Sequence, residues 1–145
     1  MEWMRDGFVV SCDPRKLDRA LVAGFLHDAY WSRGIPPATV DRSIEGSLCF
    51  SLWSPASQVG FARVVSDRAT FAYLGDVFVV PEYRGRGLGK WLVQCVLSHP
   101  DLQGLRRWVL VTRDAHELYR SLGFCELARP EGYMERHDPE VYRRS

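Results

Sequence analysis

The amino-acid sequence predicts a mixed α/β domain, on three observations. Three strand-like stretches follow one another with only short turns between them: Ser47 to Trp53, Gln58 to Ser66 and Thr70 to Val80. The third runs through a glycine-rich loop into a helical stripe. A further apolar stretch, Trp108 to Thr112, follows that helix. Tight turns make neighbouring strands antiparallel, whereas a strand–helix–strand crossover makes two strands parallel, so both pairings are expected in one sheet.

The elements are read in chain order. Phe8-Val9-Val10-Ser11 is a short apolar run and reads as the first strand. Asp13-Pro14 supplies a helix cap and a first-turn proline. Leu17, Ala20, Leu21, Gly24 and Phe25 then recur at helical spacing, which predicts a helix ending near Trp31 to Gly34. Ile35-Pro36-Pro37 breaks it, and a short helix is expected over Ala38 to Glu45. The three central stretches form an antiparallel meander, the third rich in aromatic and β-branched residues. Leu88, Trp91, Leu92, Cys95 and Val96 mark the next helix, closed by His99-Pro100. Asp114 and Glu117 have capping-box spacing for a last helix carrying Ala115, Leu118, Tyr119 and Leu122, with Gly123 as its stop. Strand-like pieces near Phe124 to Leu127 and Tyr133 to Arg136 are expected to finish the sheet.

The totals exclude several classes. A chain of 145 residues, 46% hydrophobic and 26% charged, suits one soluble domain over residues 1–145. A net charge of +1 argues against a nucleic-acid or anionic-membrane partner; Arg106-Arg107 and Arg143-Arg144 are offset by 18 acidic residues. No apolar stretch follows Met1-Glu2-Trp3-Met4, so neither a secretory signal nor a membrane span is expected. Cys12, Cys49, Cys95 and Cys125 stand far apart with no Cys-x-x-Cys pair, which favours free thiols in the cytoplasm and no metal site.

The loop Arg84-Gly85-Arg86-Gly87-Leu88-Gly89-Lys90 carries the chemistry. Glycines lose more backbone entropy on folding than other residues, and three so close make sense where the backbone approaches a ligand. A helix N-terminus offers unpaired N–H groups and partial positive charge, to which Arg84, Arg86 and Lys90 add full charges; phosphate fits such a place. A merely tight turn with solubilising arginines would look much the same. A Walker A loop fails, because Arg84 stands where its first Gly belongs and Trp91 where its Ser or Thr belongs. The dinucleotide fingerprint fails on spacing, which here is Gly85-x-Gly87-x-Gly89.

Arg84-x-x-Gly87-x-Gly89 behind an apolar strand and Pro81-x-Tyr83 resembles the signature of the GNAT superfamily of acyl-CoA-dependent N-acetyltransferases. The whole stretch from Asp76 to Lys90 fits it without a gap. Leu118-Tyr119-Arg120-Ser121-Leu122-Gly123-Phe124 resembles the Leu-Tyr-x-x-x-Gly-Phe element of the same superfamily. The resemblance implies a central mixed sheet of six or seven strands flanked by about four helices, and acetyl-CoA as co-substrate. It implies that coenzyme A contacts Val77, Phe78 and Val79 along the strand edge, and Arg84, Gly85, Arg86, Gly87, Leu88, Gly89 and Lys90 at the loop. A bulge splaying that strand from its neighbour is expected with it, and the Val79 N–H would polarise the thioester carbonyl. Tyr119 matches the position where the family commonly keeps a general acid for the leaving sulfur. Tyr119 also lies on the helical face of Ala115 and Leu122, where a plain core residue would serve equally. Where many members keep an Asn before the last helix, this chain has Arg113-Asp114.

The reaction so implied moves acetyl directly to a primary amine of a small molecule or peptide. Asp76 and Glu45 are the nameable acceptors for the amine's proton, and the sequence assigns the base to neither. The substrate side would involve Tyr30, Trp31, Glu45, Asp76 and Tyr133, suiting an amine with an apolar or cationic portion. Homodimers are common in the family, although no interface is marked here. A non-catalytic acetyl-CoA sensor or interaction module is the alternative; it shares the glycine loop but has no use for Tyr119.

Overall fold

A computed structural model of the chain describes residues 1–144. Its order is β1 (Glu2–Arg5), β2 (Phe8–Ser11), α1 (Arg19–Asp28), α2 (Pro37–Glu45), β3 (Leu48–Trp53), β4 (Gln58–Ser66), β5 (Phe71–Val79), α3 (Leu88–Leu97), β6 (Arg107–Leu110) and α4 (His116–Arg120). The strands form one six-stranded sheet in sequential order. Every neighbouring pair from β1 to β5 is antiparallel, and β5 with β6 is parallel. The crossover through α3 produces that single parallel pair, as the sequence predicted. Among the described residues no helix is long and apolar enough to cross a membrane.

Two cores cover the two faces of the sheet. One joins Phe50, Leu52, Ala62, Val64 and Leu74 to Leu88, Trp91, Leu92 and Val96 of α3 and to Tyr119 of α4. The other joins Cys49, Phe61 and Phe78 to Val22 and Leu26 of α1 and Val40 and Ile44 of α2. Phe78 stacks on Phe25, ring centroids 3.8 Å apart, and a side chain of that size buried so fully contributes roughly 1.5–3 kcal/mol.

Several expectations are corrected. The chain begins with β1, which the sequence reading omitted; Asp6 and Gly7, at φ 51° and 84°, form the two-residue turn into β2 that an Asp-Gly pair favours. Asp13 caps only the single turn Pro14–Lys16. The long helix starts later, with Asp18 accepting from the Leu21 N–H at 3.1 Å. Its buried face is accordingly Val22 and Leu26, while Ala20 and Gly24 face solvent. Asp114 makes no cap: α4 begins at His116, and the Thr112 hydroxyl accepts from the Ala115 N–H at 3.0 Å. With the helix starting there, Glu117 falls one position short of a capping box and pairs with Arg120.

Neither Phe124 to Leu127 nor Tyr133 to Arg136 forms a strand. Gly123, at φ 97°, turns the chain so that the Phe124 ring packs edge-on against Tyr119 at 5.8 Å and against Trp108 at 6.5 Å. The residues after α4 therefore cover the end of that helix, and β6 remains a sheet edge.

Candidate active site

The bulge the sequence led us to expect lies in β5. Its partners on β4 run Phe61↔Phe78 and then Arg63↔Gly75, so β5 carries one residue more than β4 over this stretch. Asp76 sits at the irregularity with φ 54°, a conformation that Asp tolerates better than most side chains. Because side chains alternate along a strand, one extra residue exchanges the faces beyond it. Leu74 faces the α3 core, Phe78 reaches the α1–α2 core, and Val79 returns to the α3 side.

The two edges of β5 end differently. Pairing with β4 continues to Val79, whereas pairing with β6 covers only Phe71 to Leu74. From Gly75 onward the second edge has no strand beside it among the described residues. The Val80 N–H donates to the Val59 carbonyl on β4 at 2.8 Å. Successive N–H groups of a strand point in opposite directions, so the Val79 N–H is directed to the open side. Phe78, paired with Phe61 on β4, keeps its side chain buried.

Past Val79 the chain makes the short turn Pro81–Tyr83 and enters the glycine loop. Gly85 and Gly87 have φ 78° and 76°, and a Cβ on either would meet nothing within 4 Å, so these glycines line open space. Gly87 occupies the N-cap of α3 and supplies no side-chain bond to the first turn. The first-turn amides thus keep the anion-binding capacity of an uncapped helix start. A Cβ on Gly89 would lie 3.8 Å from a Val79 methyl, an ordinary van der Waals contact. The Arg84 Nε donates to the Val79 carbonyl at 2.9 Å, and the Arg86 guanidinium lies over the Tyr83 ring at 4.8 Å. Lys90 is exposed, and Leu88 is buried in the core. A diphosphate fits this cradle: open glycine backbone, free amides and three cations.

Tyr119 projects from α4 into the α3-side core with 9% of its surface exposed. No protein group bonds its hydroxyl, yet no buried polar side-chain atom lacks a partner among the described residues, so the hydroxyl meets accessible space. Burial raises its pKa above the ordinary tyrosine value, and the nearby Tyr30 adds to the shift. Tyr30 stands edge-on to Trp31 at 5.1 Å, and the Arg113 guanidinium lies over the Tyr30 ring at 3.8 Å. The loop after α1 therefore reaches both Tyr119 and the start of the α4 segment.

Asp76 joins the same group. The Trp31 Nε1–H donates to its Oδ1 at 2.8 Å and the Arg63 Nε–H to its Oδ2 at 2.7 Å; Arg63 also donates to the Ser47 hydroxyl at 3.1 Å. Glu45 is not brought here. Its side chain is 73% exposed, 3.9 Å from Arg19, beside a cavity of about 150 Å³ lined also by Ser47, Val64 and Arg68. Tyr133 lies under the Arg107 guanidinium at 5.7 Å, beside β6. Sequence reasoning missed Arg63 and Arg113. Arg113 was visible only as the residue standing in for the family's Asn, and Arg63 only as a charge in an otherwise apolar strand.

Cys49 and Cys95 are buried, and desolvation pushes both thiols up to about 11. They stay protonated at neutral pH, which makes them poor nucleophiles. Under native conditions a maleimide should modify the exposed Cys125 first and Cys12 more slowly, with Cys49 and Cys95 reacting only on unfolding. Peptide mass mapping checks this order.

With this geometry in hand, comparisons with known proteins give a consistent result. A family model described as Acetyltransferase (GNAT) domain matches residues 45–126. A crystal structure from Xanthomonas campestris pv. campestris, assigned to the GNAT acetyltransferases, is 52% identical with a TM-score of 0.90. That match covers 93% of this chain and 96% of the other. A Gibberella zeae protein assigned as an acetyltransferase is 32% identical over 90% of this chain and 86% of its own length. The thialysine N-epsilon-acetyltransferase of Sus scrofa is 35% identical over 42% of this chain and 38% of its own.

Proposed function

We infer the reaction from the premise that the chain belongs to the GNAT acetyltransferase family: it moves acetyl from acetyl-CoA directly to a primary amine. The observation that carries the reading is the union of the splayed β5 edge with the uncapped, glycine-lined start of α3. Gly85 to Lys90 hold the diphosphate of coenzyme A, with Arg84, Arg86 and Lys90 supplying charge. The backbone of Val77 to Val79 takes the amide-bearing arm along the open strand edge. The thioester carbonyl accepts from the Val79 N–H, and that bond strengthens as negative charge develops on the oxygen.

The attacking amine must be neutral, and a lysine-type amine in water has a pKa of about 10.4, so it sheds a proton to solvent before the step. Its nitrogen bonds to the acyl carbon and gives up one more proton to solvent, and the carbon–sulfur bond breaks. Tyr119 gives its hydroxyl proton to the departing sulfur and recovers one from solvent. The name of the Sus scrofa relative, which places its acetylation on an ε-nitrogen, supports a primary amine as acceptor.

Release of free coenzyme A, followed with a thiol reagent, tests the proposal. The panel comprises lysine, thialysine, glucosamine-6-phosphate and a short peptide with a free N-terminus. Amine-dependent thiol release with an acetylated product by mass spectrometry is expected. Acetyl-CoA binding with no turnover on any amine would favour a non-catalytic sensor.

A further inference from the structure

We propose that Asp76 is a positioning residue and not the proton acceptor: it ties the Trp31 loop to the β5 bulge and so sets the acceptor-side wall of the site. The proposal rests on the amine-acetyltransferase reading above. Both carboxylate oxygens of Asp76 are engaged, one by the Trp31 indole and the other by the Arg63 guanidinium. The Asp76 and Arg63 side chains are only 12% and 19% exposed, so this is a largely enclosed ion pair. A carboxylate held by a charge-assisted bond on one oxygen and an N–H bond on the other is fixed in place, with both oxygens turned to the tie.

The tie has consequences on both sides. On the strand, the bonds hold Asp76 at positive φ, and that residue's place in the bulge decides which faces Val77, Phe78 and Val79 take. On the loop, the indole is fixed between Asp76 and the Phe25 and Tyr30 rings, at 6.4 Å and 5.1 Å. Phe25 itself stacks on Phe78, so the cofactor strand and the loop are joined twice, once by a hydrogen bond and once by packing. Trp31 is 42% exposed, which leaves part of it free to meet an acceptor. Because Arg63 pairs with Asp76, the part of the wall that Trp31 presents is aromatic, and it selects an acceptor with an apolar stem beside its amine.

Two variants separate the roles, assayed with whichever panel amine turns over fastest. Asp76→Asn keeps an oxygen for the indole and tolerates positive φ, but cannot take a proton. It should raise KM for the amine severalfold while kcat stays within about threefold and its pH profile is unchanged; a proton acceptor would instead lose about 100-fold in kcat. Trp31→Phe removes the indole N–H and should raise amine KM about tenfold, with kcat and the KM for acetyl-CoA unchanged. A collapse of kcat in Asp76→Asn, or an unchanged amine KM in Trp31→Phe, overturns the proposal. The Trp31 indole resonance, assigned by its disappearance in Trp31→Phe, reports on the tie without turnover. It should shift and exchange faster in Asp76→Ala, and an unmoved signal would show that no tie exists. Absence of turnover in the unmodified protein would refute the enzyme reading alone, since the resonance still tests the tie.

Discussion

Replacing Tyr119 with phenylalanine is expected to lower kcat about 100-fold with little change in KM for acetyl-CoA, the size associated with loss of a positioned general acid. The change removes one oxygen atom. That oxygen has no protein partner among the described residues, so the melting temperature should stay within about 1 °C and the loss reports chemistry. The pH dependence follows from the same environment. Burial disfavours the phenolate, so the folded-state pKa lies above the ordinary value of about 10 and the proton stays in place through neutral and moderately alkaline pH. The kcat of the unmodified protein should therefore hold to about pH 10 and decline only beyond it; the phenylalanine variant should lack that decline. Steady-state kinetics at saturating amine from pH 7 to 10.5 measures both. A variant with full kcat would make Tyr119 a core residue, the role its helical face equally allowed.

The second large effect is expected at Gly87. A valine there would face open space, so no clash in the free protein opposes it. The backbone does oppose it: φ of 76° is left-handed, and a non-glycine residue pays roughly 1–2 kcal/mol to adopt it, more when β-branched. The new side chain would also stand over the first-turn amides of α3, where the diphosphate is to bind. Gly87→Val should thus melt a few degrees lower and bind acetyl-CoA at least tenfold more weakly. Calorimetric titration read beside the melting curve separates the two effects. Gly104→Val is the control: its φ of 72° carries the same strain past the opposite end of α3, so it should lower stability and leave acetyl-CoA affinity alone.

The parts legible in the sequence were those written in local pattern. The meander from β3 to β5, with the bounds of β4 read without error, followed from strand-like stretches between short turns, the third rich in aromatic and β-branched residues. The crossover through α3 followed from glycines placed between a strand and a helical stripe. The strand, loop and helix start proposed to hold the cofactor were legible for the same reason, since they are one continuous stretch from Asp76 to Lys90. What was missed depends on competition between local signals or on distant pairings. Asp13 and Asp18 are both plausible caps, and only packing of Val22 and Leu26 against the sheet decides for the second. Phe124 looks like the start of a strand, yet its ring is better used beside Tyr119 and Trp108. The union of Arg63, Asp76 and Trp31 joins β4, β5 and the loop after α1, and no spacing rule reaches across such distances.

Thermal unfolding in the presence of acetyl-CoA, of ADP and of neither ligand tests the central claim most directly. Ligand at about 100 times its dissociation constant adds roughly 2.7 kcal/mol, which raises the midpoint by several degrees for a domain of this size. The account predicts that rise with acetyl-CoA and a much smaller one with ADP, because the strand edge from Val77 to Val79 contributes only when the amide-bearing arm is present. No rise at millimolar acetyl-CoA, or an equal rise with ADP, would contradict it.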